Sequence, residues 1–132
     1  MVNSIKIGKV IYSLLSVSGT TLFEYVGNRI YPLIAEQTTN YPFIVYYRTN
    51  ISTNNYNKDG ICSDAVGFTV VVVSNDYSDS IEIANEVRKT LEKKKIVDEL
   101  MTIYNCHIVN VDESFNDNAY VQTLQFECEV EK

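Results

Sequence analysis

His107 is the only histidine in the chain, so any serine or cysteine triad would have to be built around it. Its neighbour Cys106 looks like a partner until strand geometry is considered. Both lie in a stretch that reads as a strand, and consecutive strand residues point to opposite faces. A Cys–His pair is therefore disfavoured, and His107 reads as a structural or surface residue. The cysteines Cys62, Cys106 and Cys128 are widely spaced and form no C-x-x-C. A disulfide framework or a zinc site needs pairs at short spacing and, for zinc, further ligands. Buried, reduced thiols are the simpler reading.

Asp76, Asp79 and Glu82 could crowd around a cation. They open a predicted helix, however, where acids complement the dipole, and the EF-hand spacing is missing. No G-x-G-x-x-G follows a strand. A paired-carboxylate site needs only two acids close in space, and nothing singles out a pair. The expectation is a protein with no catalytic residues, no cofactor and no metal.

The totals point the same way. The chain has 132 residues, 45% hydrophobic and 21% charged, which suits one globular domain spanning 1–132. Its formal charge is −6, from 17 acids and 11 bases, and no basic stripe offers itself to a phosphate backbone. The run Lys93-Lys94-Lys95 falls at the end of a predicted helix, where cations complement the dipole. Ten tyrosines and no tryptophan suit strand surfaces and interfaces, each ring carrying a hydroxyl for water or a partner.

Elements that must position such a surface follow from periodicity. The N-terminal "VIYSLLSVSG" mimics a short signal peptide, but Tyr12, Ser13 and Ser16 interrupt it. Ile7, Val10, Ile11, Leu14 and Leu15 instead share one face of a predicted helix from about Ser4 to Ser16, capped by Asn3 or Ser4. No run approaches the ~18 apolar residues of a membrane span. "LFEYVGNRIYPLIA", broken by Gly27 and Pro32, reads as a short turn and then an extended segment.

Pro42 disfavours helix at Tyr41 and starts a strand over Phe43–Thr49, with Phe43, Val45 and Tyr47 on one face and Ile44, Tyr46 and Arg48 on the other. "NISTNNYNKDGICSDA" reads as a polar loop, and its Asn50-Ile51-Ser52 is a glycosylation sequon by pattern alone. Val66–Ser74 is the strongest strand signal, apolar on both faces and so expected to be central.

A second helix is expected from Asp76 or Asp79 through Lys95, with Asp79 and Glu82 in capping-box spacing and Ile83, Ala84, Val87 and Leu91 buried. Two strands, about Ile103–Val111 and Ala119–Val130, are joined by the turn-rich "ESFNDNA". In the last of them Tyr120, Gln122, Leu124, Phe126, Cys128 and Val130 form the inward face. The order α-β-β-α-β-β predicts an α+β fold: an antiparallel four-stranded sheet with two helices packed on one face.

With no chemistry in view, the surface around the first strand and the asparagine-rich stretch is the candidate interface. Its residues are Tyr46, Tyr47, Arg48, Asn50, Asn54, Asn55, Tyr56, Lys58 and Asp59.

Three segments in order carry a resemblance: "VGNRIYPLIAEQTTNYPFIVYYR", "GFTVVVVSNDYSDSIEIANEVRKTLE" and a terminal "YVQTLQFECEV". Together they resemble the tail-completion family of long-tailed bacteriophages and prophages, which includes tail-terminator and tail-to-head joining proteins. The likeness rests on Arg29–Pro32, on Tyr41–Tyr46, and on a strand followed by a helix with Ala84, Val87 and Leu91.

It implies a virion protein made in the host bacterial cytoplasm and assembled as a ring of like subunits, usually six. The ring would cap the head-proximal end of the tail tube, with the tail-tube and head–tail connector proteins as partners. DNA would pass through the ring without sequence-specific contact, and an acidic ring would not cling to it. The competing expectation is a small monomeric α+β binding or regulatory module encoded by a phage or prophage.

Overall fold

The computed structural model describes residues 2–36, 39–57 and 60–131, with side chains described except at 54–57 and 60–62. A 3-10 turn, Ser4–Lys6, leads into α1 (Ile7–Leu15) and α2 (Thr21–Val26). Then come β1 (Ile30–Pro32), β2 (Phe43–Asn57), β3 (Gly60–Ser74), α3 (Tyr77–Leu91), β4 (Lys93–Val97), β5 (Thr102–Asn116) and β6 (Ala119–Glu131). The six strands form one sheet in the order β1-β2-β3-β6-β5-β4. The β1–β2 pair is parallel and the other pairs are antiparallel, so the sheet is mixed.

This corrects the expected four-stranded antiparallel sheet with two helices. The four expected strands are present, but the sheet gains a strand at each edge and the helical layer gains α2. Strand β1 is only three residues long and is held by pairing Ile30, Tyr31 and Pro32 with Ile44, Val45 and Tyr46. Such a segment has no periodicity of its own. The lysine run does not end a helix. Helix α3 stops at Leu91, and Lys93–Val97 pair with Thr102–Cys106 as the far edge.

Among its described residues the asparagine-rich stretch is also not a loop. Strands β2 and β3 continue through it as a hairpin, pairing from Phe43↔Val73 out to Asn57↔Gly60. Low intrinsic strand propensity is overridden by a continuing ladder, since a paired backbone hardly depends on side-chain type. Opposite this hairpin, β5 and β6 join through Asp117 and Asn118. Both take positive φ (50° and 62°), as tight turns between twisted strands favour, and Asx residues tolerate it.

One face of the sheet carries the core. Ile44, Val70, Val72, Leu124, Phe126 and Val130 point toward the helices and are all but fully buried. The expected stripes pack against them: Ile7, Val10, Ile11 and Leu15 from α1, with Leu14 partly buried, and Ile83, Ala84, Val87 and Leu91 from α3. Each fully buried aliphatic side chain contributes roughly 1.5–3 kcal/mol of transfer free energy. Phe68 and Phe126 stack at 5.1 Å across the central β3–β6 pair.

The helix starts are set by local chemistry. Asp76 caps α3, its Oδ1 accepting from the Asp79 amide at 3.2 Å, so Asp79 lies inside the helix and heads no capping box of its own. Asn3 makes no side-chain cap; its Nδ2 donates to the Leu100 carbonyl at 3.1 Å and ties the N-terminus to the loop before β5. Ser4 is fully buried, its hydroxyl donating to Asp64 Oδ2 at 2.6 Å.

Candidate functional site

The face of the sheet away from the helices has no layer on it among the described residues. Register places Tyr31, Val45 and Val71 in one row across this face, and Phe43, Val73 and Val121 in the next. These side chains are half-buried. Phe43 contacts two tyrosine rings, Tyr31 edge-on at 6.5 Å and Tyr41 stacked at 5.7 Å. Aromatic residues are enriched where protein surfaces meet one another, so this row is the candidate contact face. In sequence its signal was present: Val70–Val73 are apolar on both faces, with Val70 and Val72 in the core and Val71 and Val73 facing outward.

Farther along the same face, bulges curl the sheet. Thr49 is the extra residue in β2 opposite β3. In β5 the register shifts between Tyr104 and His107, where Asn105 takes φ 51°. Bulges increase local twist and re-aim side chains. Between these two lies a concavity of about 330 Å³ lined by Asn50, Gly67, Asn105, His107, Glu127 and Glu129, among others. Gly67 leaves room there for Thr49, whose Oγ1 would lie 2.8 Å from a Cβ at this position. His107 sits across from Glu127, and its Nδ1 lies 2.7 Å from the Asn105 carbonyl.

The β5 register slips again between Ile108 and Asn110, and the Ile108 amide is satisfied by Glu92 Oε2 at 2.9 Å. That bond, with the Arg88 guanidinium on Oε1 at 2.9 Å, holds the Glu92 carboxyl below the usual glutamate range. Cys106 points the other way from His107, into the core, beside Cys128; both are free thiols. The hydrogen bond that its S–H gives to Cys128, and then burial, push the Cys106 thiol well up, so it stays protonated. Cys62 lies outside the described side chains. Among the described residues no three His, Cys, Asp or Glu side chains gather as a metal site. No described helix is long and apolar enough to cross a membrane.

The sheet edges are unlike one another. At one end β4 presents Lys93, Lys94 and Lys95, a charged edge that resists further pairing. Beyond it, among the described residues, no strand pairs with the outer edge of β5 from His107 onward, and Val109, Val111 and Phe115 are exposed along that stretch. At the other end β1 stops at Pro32. The chain turns there through Leu33 (φ 67°), with the Ile34 amide donating to the Pro32 carbonyl at 2.7 Å. Beside this turn lies a groove of about 670 Å³ between α1 and β1, floored by Gly8 and Tyr46.

Arg29, in the segment that carried the family resemblance, is a clip. Its guanidinium donates to the carbonyls of Pro42 at 2.9 Å and Tyr25 at 3.0 Å, fixing α2 and the start of β2 around β1.

The expected interface residues separate. Tyr46 is buried under α1, and burial, then Tyr12, raise its pKa. Tyr47 is half-buried on the open face, in the row of Thr69 and Gln125. Arg48 is exposed at the β2 edge and donates to the Ile5 carbonyl at 3.1 Å. Asn50 lines the concavity. Asn54, Asn55 and Tyr56 run along the hairpin, their side chains outside the described set, and Lys58 and Asp59 lie outside the described residues. Sequence reasoning missed the Leu33–Ile34 turn and the outer β5 edge, both defined by what fails to pair with them.

No known protein family matches the sequence, and no curated protein does. Among solved structures, the chain is similar in fold to one from the virion of the native gene transfer agent particle. The TM-score is 0.71 at 13% identity, covering 92% of each chain.

Proposed function

We propose that this chain is a structural subunit of a phage-like virion, one that closes as a ring on the head-proximal end of the tail tube and helps join tail to head. The observation that carries the reading is the fold shared over 92% of both chains with a component of a gene transfer agent virion, a phage-like particle. The likeness of Arg29–Pro32 and Tyr41–Tyr46 to tail-completion proteins supplies the finer role. The open apolar face and two differing sheet edges supply the surfaces that a ring and its neighbours need. In this reading the partners are other copies of the chain, the tail-tube protein and the head–tail connector. The net charge of −6 lets DNA pass without being held.

Light scattering coupled to size-exclusion chromatography, over a range of concentrations and with or without purified tail-tube protein, tests this. A closed oligomer of one size, formed alone or on meeting tubes, is the expected result. A monomer at every concentration, indifferent to tubes, contradicts it. That outcome would favour a monomeric binding or regulatory module acting through the concavity beside His107.

A further inference from the structure

The first slip of register in β5 sets two thiols against each other. Tyr104 faces Glu129 and His107 faces Glu127, so Asn105 and Cys106 together oppose the single residue Cys128. That is the two-against-one count of a β-bulge, and Asn105 takes up the extra length at φ 51°. Cys106 and Cys128 are then left on the same side of the sheet, turned into the core, where they are 3% and 6% exposed. Opposed residues of antiparallel strands hold their Cα atoms about 4.5–5.5 Å apart, inside the roughly 4.4–6.8 Å that a disulfide bridges. The hydrogen bond between the two thiols agrees with that approach.

The place of the pair matters. Strand β4 ends its pairing at Lys93↔Cys106, and from His107 onward β5 is held, among the described residues, by β6 alone. A link between Cys106 and Cys128 would tie the two strands at the root of the hairpin that runs out to Asn116 and Ala119. It would also remove freedom from the unfolded chain over the whole loop from 106 to 128. Cys106 can be approached from outside, since it helps line a surface recess of about 260 Å³ with Glu92, Lys93, Lys94 and His107.

We infer that Cys106 and Cys128 are a latent disulfide, thiols while the protein is made and a cross-strand staple once it meets an oxidising medium. The oxidant is a small disulfide of the glutathione class. One protein thiol loses its proton to water and attacks a sulfur of the oxidant, forming a mixed disulfide and releasing one small thiolate. The second protein thiol, deprotonated in turn, attacks the protein sulfur of that mixed disulfide and expels the second small thiolate. Two protein thiols are oxidised and one small disulfide is reduced to two thiols. Only a thiolate attacks, and Cys106 is held protonated, so closure is slow and a reducing cytoplasm keeps the pair open. The pairing rests on the register of β5 and β6; its timing, after release from the cell, rests on the virion reading above.

Oxidation of purified Cys62→Ser protein tests the pairing. The folded protein is held overnight with oxidised glutathione at mildly alkaline pH, remaining thiols are blocked, and peptides are mapped without reduction. The expected product carries a Cys106–Cys128 link and is lighter by two hydrogen atoms. Its thermal midpoint should rise by roughly 5–10 °C, reversibly on adding a reductant. Cys128→Ala in the same background should show neither the link nor the rise. Free thiols throughout, glutathione left on one cysteine with no internal link, or a link that lowers the midpoint would each overturn the assignment. Wild type treated alongside guards against a folding defect in the variants: the same link should be its main product, and links to Cys62 in its place would overturn the pairing too.

Blocking thiols in producing cells and in released particles tests the timing. The pair should be free in the cells and linked in the particles. A pair that closes in the purified protein but stays reduced in particles overturns the timing alone. Particles that lack the chain overturn the virion reading, and the timing with it, while the pairing stands.

Discussion

Gly67 shows how a single missing side chain shapes the molecule. Glycine inside a strand ordinarily weakens it, and this one lies in the central pair of the sheet. It is tolerated because the Thr49 bulge brings the Thr49 hydroxyl within 2.8 Å of where a Cβ would be. Gly67→Val should therefore cost about 1–3 kcal/mol by overpacking, and Gly67→Ala less, since the Thr49 side chain is exposed and able to turn away. Urea midpoints measured in Thr49 and Thr49→Ala backgrounds check this: the penalty should shrink by ~0.5 kcal/mol or more when Thr49 is trimmed. An equal penalty in both backgrounds would remove Thr49 from the explanation. The residue scale also shows what a sequence reader could not see. "NISTN" looks like loop because asparagine is a turn former, and nothing in those letters reports that Asn50, Ile51 and Ser52 pair with Gly67, Val66 and Ala65.

At the scale of elements, local period decided what was legible. Helices α1 and α3 and strand β6 each bury one regular stripe, and their buried residues were read correctly because i, i+3, i+4 or i, i+2 spacing is written in the chain itself. Strands β1 and β4 were not legible, because each exists only through pairing with a neighbour distant in sequence or across a turn. The interface residues failed for a related reason. Strand alternation alone separates Tyr46 from Tyr47, but which edges stay unpaired is a property of the completed sheet.

The α3–β5 junction gives this scale its own prediction. Glu92 accepts from Ile108 and Arg88 in the folded state, so its folded pKa lies below its unfolded value. Its contribution to stability is then fully present above the unfolded pKa and is lost as pH falls through the folded value. Glu92→Gln, which keeps an acceptor for the Ile108 amide but cannot titrate, should flatten the acid limb of a plot of stability against pH. Glu92→Ala should lower stability at neutral pH by about 1–2 kcal/mol, because the Ile108 amide loses its partner. Denaturant titrations from pH 3 to 7 distinguish the two; an unchanged acid limb in Glu92→Gln would mean that another carboxyl governs it.

The whole molecule is a curled sheet with helices on one side and an uncovered apolar row on the other. One edge is guarded by lysines, and at the other the Leu33–Ile34 turn stands exposed. Such an object is suited to repetition, since its two edges differ and its open face is available for a second contact. The most direct measurement of the central claim is to add the purified protein to tail tubes assembled without it and image the tube ends by electron microscopy. A ring of density closing one end of each tube, with tube growth stopped at that end, is the result expected of a tail-completing subunit. Tubes that stay open at both ends and keep lengthening in excess protein would contradict it.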